Sequence, residues 1–181
     1  QAAVRESIMG LIEGGADAAV QDSTQIAQTA QATASVLLGP CTQTTLDAGA
    51  GIVAKMVGGA QAMGLGDGAA DILAAAIGGV IDQSGSNAIP ADLQRRRRLV
   101  ATINHTASAN ATVDGDTAEV ARVHAAAAKR AASMVVAADG LSALIGSELV
   151  AGEAPAQVQS NTLTMGVAKH DPCRQSTDST N

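Results

Sequence analysis

The sequence predicts a mainly α fold, a multi-helix bundle followed by a single β-strand. Apolar residues recur at three- and four-residue spacing along most of the 181 residues, which is the period of amphipathic helices. Near the C-terminus the period changes to two at Leu163, Met165 and Val167, which is typical of a strand. The rest of the sequence offers this strand no strong partner. We therefore expect it to be the first strand of a sheet that continues beyond the C-terminus.

The composition limits both the core and the partners of the chain. Phe, Tyr and Trp are absent, so Ala, Val, Leu, Ile and Met must form the core. The net charge is −6, whereas binding of nucleic acid requires a basic surface. No apolar run approaches the roughly 20 residues of a membrane span, and no signal peptide is apparent at Gln1. We expect one domain, or one with a fragment of the next, that neither binds nucleic acid nor inserts directly into a membrane.

Three amphipathic stripes with end signals predict the first three helices. The first is closed by Gly14-Gly15 and consists of Val4, Ile8, Leu11 and Ile12. The second begins with a cap at Asp22 or Ser23, ends at Gly39-Pro40, and consists of Ile26, Ala30, Thr33 and Leu37. The third has the most regular period and consists of Leu46, Ala50, Val53, Val57 and Ala60.

Two more helices are predicted after a loop formed by Gly64, Gly66 and Gly68. Asp67 caps the fourth helix, whose apolar residues are Ile72, Leu73, Ala76, Ile77, Val80 and Ile81. Gly78-Gly79 inside this helix disfavours it by about 1 kcal/mol per residue relative to Ala, so it needs tertiary packing. A polar loop over 84–88 leads into a fifth helix near Pro90.

The longest helix begins at Asp116 or Thr117, after a polar loop. We expect Asp139-Gly140 to kink or end it. Its apolar side consists of Val120, Val123, Ala127, Met134 and Val135. The chain is thus divided into a helical bundle subdomain over 1–150 and, over 151–181, a linker, the strand and a polar tail.

The order of these elements and several short segments resemble a known extracellular domain. The segments are Ala138 to Leu141, Glu148 to Val150, Gly152 to Pro155, Ser160 to Val167, and Ile26 to Leu37 with Cys41. They are similar to the helical first half of a GAIN domain that runs into the first strand of its β-sandwich. The nearest likeness is to the REJ/GAIN region of receptor-like polycystins, the polycystin-1 family.

The resemblance implies a non-catalytic extracellular module of a polycystin-like membrane receptor or channel subunit. Such a module acts in adhesion or force transmission on the extracellular side of the plasma or ciliary membrane. Its implied partners are the downstream β-sandwich of the same polypeptide and either a polycystin-2-type channel subunit or an extracellular filament or matrix protein. Proteolytic GAIN domains carry a His-Leu-Ser/Thr tripeptide that is absent here, so no self-cleavage is assigned. The alternative is a secreted helical assembly or scaffold protein unrelated to channels.

No catalytic, cofactor-binding or metal site is predicted. Such a site needs clustered ligands, whereas the histidines are far apart at His105, His124 and His170. Gly64-x-Gly66-x-Gly68 follows a helix instead of a strand, which favours a flexible connection over a phosphate loop. Asp114-Gly-Asp116 with Glu119 lacks the spacing of an EF-hand, and helix capping explains these carboxylates more simply.

Two glycosylation triplets favour an extracellular location, and two cysteines are consistent with one. Asn104-His-Thr106 and Asn110-Ala-Thr112 both match the acceptor pattern, in or beside one polar loop. Cys41 and Cys173 are disulfide candidates that can pair with each other or with cysteines outside the chain.

One block of charge stands out, and it consists of Arg95, Arg96, Arg97 and Arg98. Its simplest interpretation is a solvated basic patch in an acidic protein. The two other interpretations are a proprotein-convertase processing site and a docking patch for an acidic partner.

Overall fold

A computed structural model describes residues 1–66, 68–86, 113–160 and 163–169, and shows helices followed by a β-hairpin. The helices are α1 (Ala2–Ala19), α2 (Ser23–Leu37), α3 (Gln43–Met63), α4 (Ala69–Ser86) and α5 (Val113–Glu148). The strands are β1 (Ala156–Gln159) and β2 (Thr164–Val167). The mainly helical class and the position of the strand segment are therefore confirmed.

The helices form two layers, with α1, α3 and α5 side by side in one and α2 and α4 in the other. α3 is central, because it packs against each of the other four helices. Helices within the first layer run parallel, because the residue numbers of contacting pairs increase in the same direction along both helices. Between α1 and α3 they run from Met9 with Gly49 to Val20 with Gly59, and between α3 and α5 from Asp47 with Arg130 to Leu65 with Glu148.

Local side chains cap the start of two helices, and of these only the cap of α2 was predicted. Asp22 caps α2, and its carboxylate accepts hydrogen bonds from the backbone N–H groups of Thr24 and Gln25. Thr42 caps α3 in the same way through the N–H of Thr45. These side chains satisfy donors that the first turn of a helix leaves free.

A single aliphatic core fills the space between the layers. Its largest fully buried side chains are Met9, Ile26, Leu37, Leu46, Ile52, Met56, Leu73, Ile77, Met134 and Leu141. Burial of each contributes roughly 1.5–3 kcal/mol. The predicted stripe of α3 is buried throughout, and so is the stripe predicted for α2.

Two glycines allow neighbouring helices of the first layer to approach closely. A Cβ atom on Gly59 of α3 would lie 2.9 Å from the Cβ of Val20, at the end of α1. A Cβ on Gly140 of α5 would lie 2.8 Å from Nε2 of Gln61 and 3.0 Å from a methyl of Val57. The helix does not end at Asp139-Gly140, one of the two predicted outcomes, because α5 continues to Glu148.

Of the stripe predicted for α1, Ile12 packs against the core and the other three residues face away from it. Val4, Ile8 and Leu11 are exposed, and the buried residues of this helix are Met9, Ala16 and Ala19. The helix also continues through Gly14-Gly15, where it was predicted to end. The packing side of α1 is lined mainly by small residues, because α1 lies close against glycines of α3.

Other predicted boundaries need correction by a few residues. α4 runs to Ser86, so residues 84–86, which were expected to belong to a polar loop, are helical. α5 begins at Val113, before Asp116 and Thr117. On α5, Val120, Val123 and Met134 are buried as predicted, but Val135 is 58% exposed. The cap at Asp67 and the helix near Pro90 lie outside the described residues.

The strand that was predicted to lack a partner has one within the chain. β1 and β2 form an antiparallel hairpin in which Val158 lies opposite Met165. Both side chains are buried, because β1 packs against α4 and β2 against α5. The sequence Ala-Gln-Val-Gln of β1 is short and half polar, so it gave no clear strand pattern. A β-sandwich is not part of the described structure.

Candidate functional site: a buried arginine that joins three helices

An arginine occupies a core position of α5. Arg130 lies four residues before Met134 and seven after Val123, on the side of the helix that faces α3 and α4. Its side chain is only 3% exposed. A buried guanidinium is costly unless its charge is paired and its N–H groups are hydrogen-bonded, so its partners decide whether it is tolerated.

Three helices contribute to the surroundings of Arg130. Nη1 donates to Oδ1 of Asp47 at 2.7 Å, and Nη2 donates to Oε1 of Gln43 at 2.6 Å. Both acceptors belong to α3, where their four-residue spacing places them on one face. Nε donates to Oγ of Ser84 in the last turn of α4, at 3.2 Å. This set of four side chains is called the Arg130 cluster below.

The Arg130 cluster holds α3, α4 and α5 at fixed distances from one another. Hydrogen bonds from a charged donor are shorter and about twice as strong as neutral ones. Asp47 is 59% exposed, so water screens its attraction to Arg130 and its main role is to accept a hydrogen bond and balance charge. Within the described part of the chain, no buried side-chain N or O atom lacks a hydrogen-bond partner.

A second polar group joins α1 to the connection between α2 and α3. Arg5 donates from Nη1 to the carbonyl oxygen of Val36 at 2.5 Å, and so satisfies an acceptor in the last turn of α2. Thr42 donates from its hydroxyl to the carboxylate of Glu6 at 3.1 Å. The Cys41 thiol lies in this corner, 3.1 Å from the carbonyl oxygen of Gly39. Burial raises the pKa of Cys41, and the nearby charge of Arg5 lowers it to a smaller extent.

The predicted site residues are not brought together where the structure describes them. Cys41 is half-buried between α2 and α3, and His124 is exposed on α5. Glu119 forms an ion pair with Arg122 on the surface of α5. Asn104, Asn110, Cys173 and the arginine run over 95–98 lie outside the described residues, as do His105 and His170.

A shallow cleft of about 440 Å³ lies between α2, α4 and the end of β1. Leu37, Leu38 and Ile72 contribute apolar walls, and Asp82 and Ser160 contribute polar atoms to its rim. No group of three or more His, Cys, Asp or Glu residues in the described ranges could hold a metal ion. None of the helices searched in those ranges combines the length and hydropathy needed to cross a bilayer.

Sequence reasoning missed the Arg130 cluster, although one sign of it was present. Arg130 interrupts an otherwise apolar series at helical spacing, and a charge at such a position needs a partner. The partners could not be identified, because Ser84, Asp47 and Gln43 are 46, 83 and 87 residues away.

Comparison of this chain with protein families, with curated proteins and with solved structures finds no match.

Proposed function

We propose that this chain is a non-catalytic structural module in the extracellular region of a polycystin-like receptor or channel subunit. Its role is to keep a fixed shape while it transmits contacts or tension along the ectodomain. The observation that carries the structural role is the Arg130 cluster. Its charged and polar groups use their hydrogen bonds to join α3, α4 and α5, which resists sliding of one helix along another.

The extracellular assignment rests on the sequence. It is supported by the glycosylation triplets at Asn104 and Asn110 and by the short segments that resemble a GAIN domain. Because β2 pairs with β1, the unpartnered strand no longer supports that resemblance. The helix order and the segments from Ala138 onward remain as its basis.

Labelling of the native protein in intact cells tests this proposal. An antibody against the folded bundle should stain the plasma or ciliary membrane without permeabilisation, and a polycystin-2-type subunit should co-purify after mild crosslinking. A cytosolic control protein must stay unstained in the same cells. Staining that appears only after permeabilisation would contradict the extracellular assignment.

The second candidate function is a secreted helical scaffold that assembles with itself. It is favoured by the exposed small residues on the outer sides of α1 and α5. In the labelling experiment it predicts protein in the medium and no pool that stays with the membrane.

A further inference from the structure

The side of α5 that points away from the core carries a continuous series of small residues without charge. This outer face of α5 alternates three- and four-residue steps, the spacing of a coiled-coil seam, and its exposed members are Ala118, Ala121, Ala125, Ala128 and Ala132. Exposed Val135 and Val136 extend it toward the C-terminus. Among the described residues, the hairpin contacts the later part of the helix, at Ser142 and Gly146.

α1 has a matching face on its solvent side. The exposed small residues of this outer face of α1 are Ala3, Ser7, Gly10, Gly14 and Ala18. Leu11, which is 79% exposed, and Val4 lie along one border. Among the described residues, nothing lies within 4 Å of a Cβ placed on Gly10 or Gly14. Glycine inside a helix costs about 1 kcal/mol relative to Ala, and no contact within the described chain offsets that cost.

The charges beside the two faces are opposite in sign and equal in spacing. Glu6 and Glu13 border the face of α1, seven residues apart, and Arg122 and Lys129 border the face of α5, also seven apart. In a parallel helix pair these positions meet across the seam, as the flanking charges of coiled coils do. Two copies of either face would instead bring like charges together or leave them unpaired. The charges therefore favour the pairing of α1 with α5 over the pairing of two identical faces.

The parallel direction of α1, α3 and α5 suits this contact. α1 contacts Lys55 and Gly59 of α3, whereas α5 contacts Val57 and Gln61, which lie on the opposite side of that helix. α1 and α5 are therefore the two edge helices of the layer, and an α1 from another molecule can lie beside α5 in the same direction.

We propose that the partner of these faces is a second copy of this chain, with α1 of one copy packed in parallel on α5 of the next. The register that forms both ion pairs, Glu6 with Arg122 and Glu13 with Lys129, places Gly14 opposite Ala125. Glu6 already accepts a hydrogen bond from Thr42, and Arg122 remains 79% exposed in its pair with Glu119, so both can take a further partner. A second copy would serve the proposed structural role, and the contact does not require the chain to belong to a membrane protein.

Because such a contact joins different surfaces of the two copies, it either closes into a ring or extends into an open chain. One helix pair buries less than the roughly 800 Å² per partner of standard complexes, so association in solution is expected to be weak. Attachment to a membrane would raise the effective concentration and favour it.

Sedimentation equilibrium of the full chain over a wide concentration range tests the proposal. The average mass should rise above that of the monomer with concentration and fall with added salt. Glu13→Lys and Lys129→Glu should each weaken association on the order of tenfold, and the double variant should recover most of the loss. Asp82→Lys and Lys169→Glu are exposed controls with equal charge changes and should associate like the native chain.

The proposal would be overturned if the native chain stays monomeric at all concentrations. It would also be overturned if the double variant associates as weakly as either single variant while circular dichroism shows all of them folded. Crosslinking gives an independent check in a background with Cys41→Ser and Cys173→Ser. Gly14→Cys with Ala125→Cys in one chain should form disulfide-linked species of two or more copies, and neither cysteine alone should do so. Dimers formed by one cysteine alone would instead indicate that α1 pairs with α1 or that α5 pairs with α5. Cell-surface labelling of the native protein tests the proposed function separately.

Discussion

Arg130 and Asp47 should respond very differently to substitution, although they form one ion pair. Asp47→Ala leaves the buried guanidinium without its counter-charge, which should lower the free energy of unfolding by about 1–3 kcal/mol. Arg130→Met removes the buried charge and keeps most of the volume, so it should cost less. Urea unfolding of both variants and of the double variant measures this order.

The double variant provides the control for that prediction. If Asp47 matters because it balances Arg130, Asp47→Ala should add little once Arg130 is Met. Equal costs for Asp47→Ala in both backgrounds would show that Asp47 stabilises α3 in some other way.

Asn104 and Asn110 should carry glycans when the chain passes through a eukaryotic secretory pathway. Both triplets fall in or beside a polar stretch that the sequence predicts to be an exposed loop. Mass spectrometry of peptides from the native protein, before and after enzymatic deglycosylation, gives the occupancy of each site. Two unmodified asparagines in a protein that is shown to be secreted would contradict the exposed-loop prediction.

The polar residues were the hardest to assign from sequence, for a physical reason. Asp22 could be recognised as a cap because its partners are the next few backbone N–H groups. Arg130 could not be assigned, because its acceptors come from other helices and nothing local in the sequence reveals them. Local hydrogen bonds were thus predictable, and long-range ones were not.

At the scale of elements, α1 shows how far apolar periodicity can be trusted. It carries two sets of apolar residues at helical spacing, and the sequence alone favoured the bulkier set with Val4 and Ile8. The set that faces the core contains Met9, Ala16 and Ala19, because close approach to α3 requires small side chains. Existence and length of a helix follow from its own residues, whereas its orientation depends on the neighbour.

This orientation of α1 can be checked with a matched pair of substitutions. Leu11→Ala should change the free energy of unfolding by no more than about 0.5 kcal/mol, since Leu11 is largely in solvent. Ala16→Leu should lower it by about 1–3 kcal/mol, because the added atoms must enter a filled core. Chemical denaturation of the two variants measures both values, and the reverse order would mean that α1 faces the other way.

For the whole molecule, the helical class was predictable and the layered arrangement was not. Five apolar stripes in order indicate a bundle, and the change of period after α5 indicates a strand. Which helices share a layer depends on contacts between helices far apart in sequence, such as Gly140 with Val57. The hairpin partner was missed for a related reason, since β1 is recognisable only once β2 lies beside it.

The central position of α3 sets the order in which the protein opens. α1 can detach while α2 to α5 keep their contacts, but α3 cannot be freed until every other helix has moved. Backbone amides of α3 should therefore exchange hydrogen for deuterium only through global unfolding, and amides of α1 through smaller openings. Exchange measured residue by residue under native conditions should show slower exchange in α3 than in α1. Equal rates in both would mean that the bundle unfolds in one step. If α3 exchanges more slowly than α1, this protein loses its structure from the edges inward.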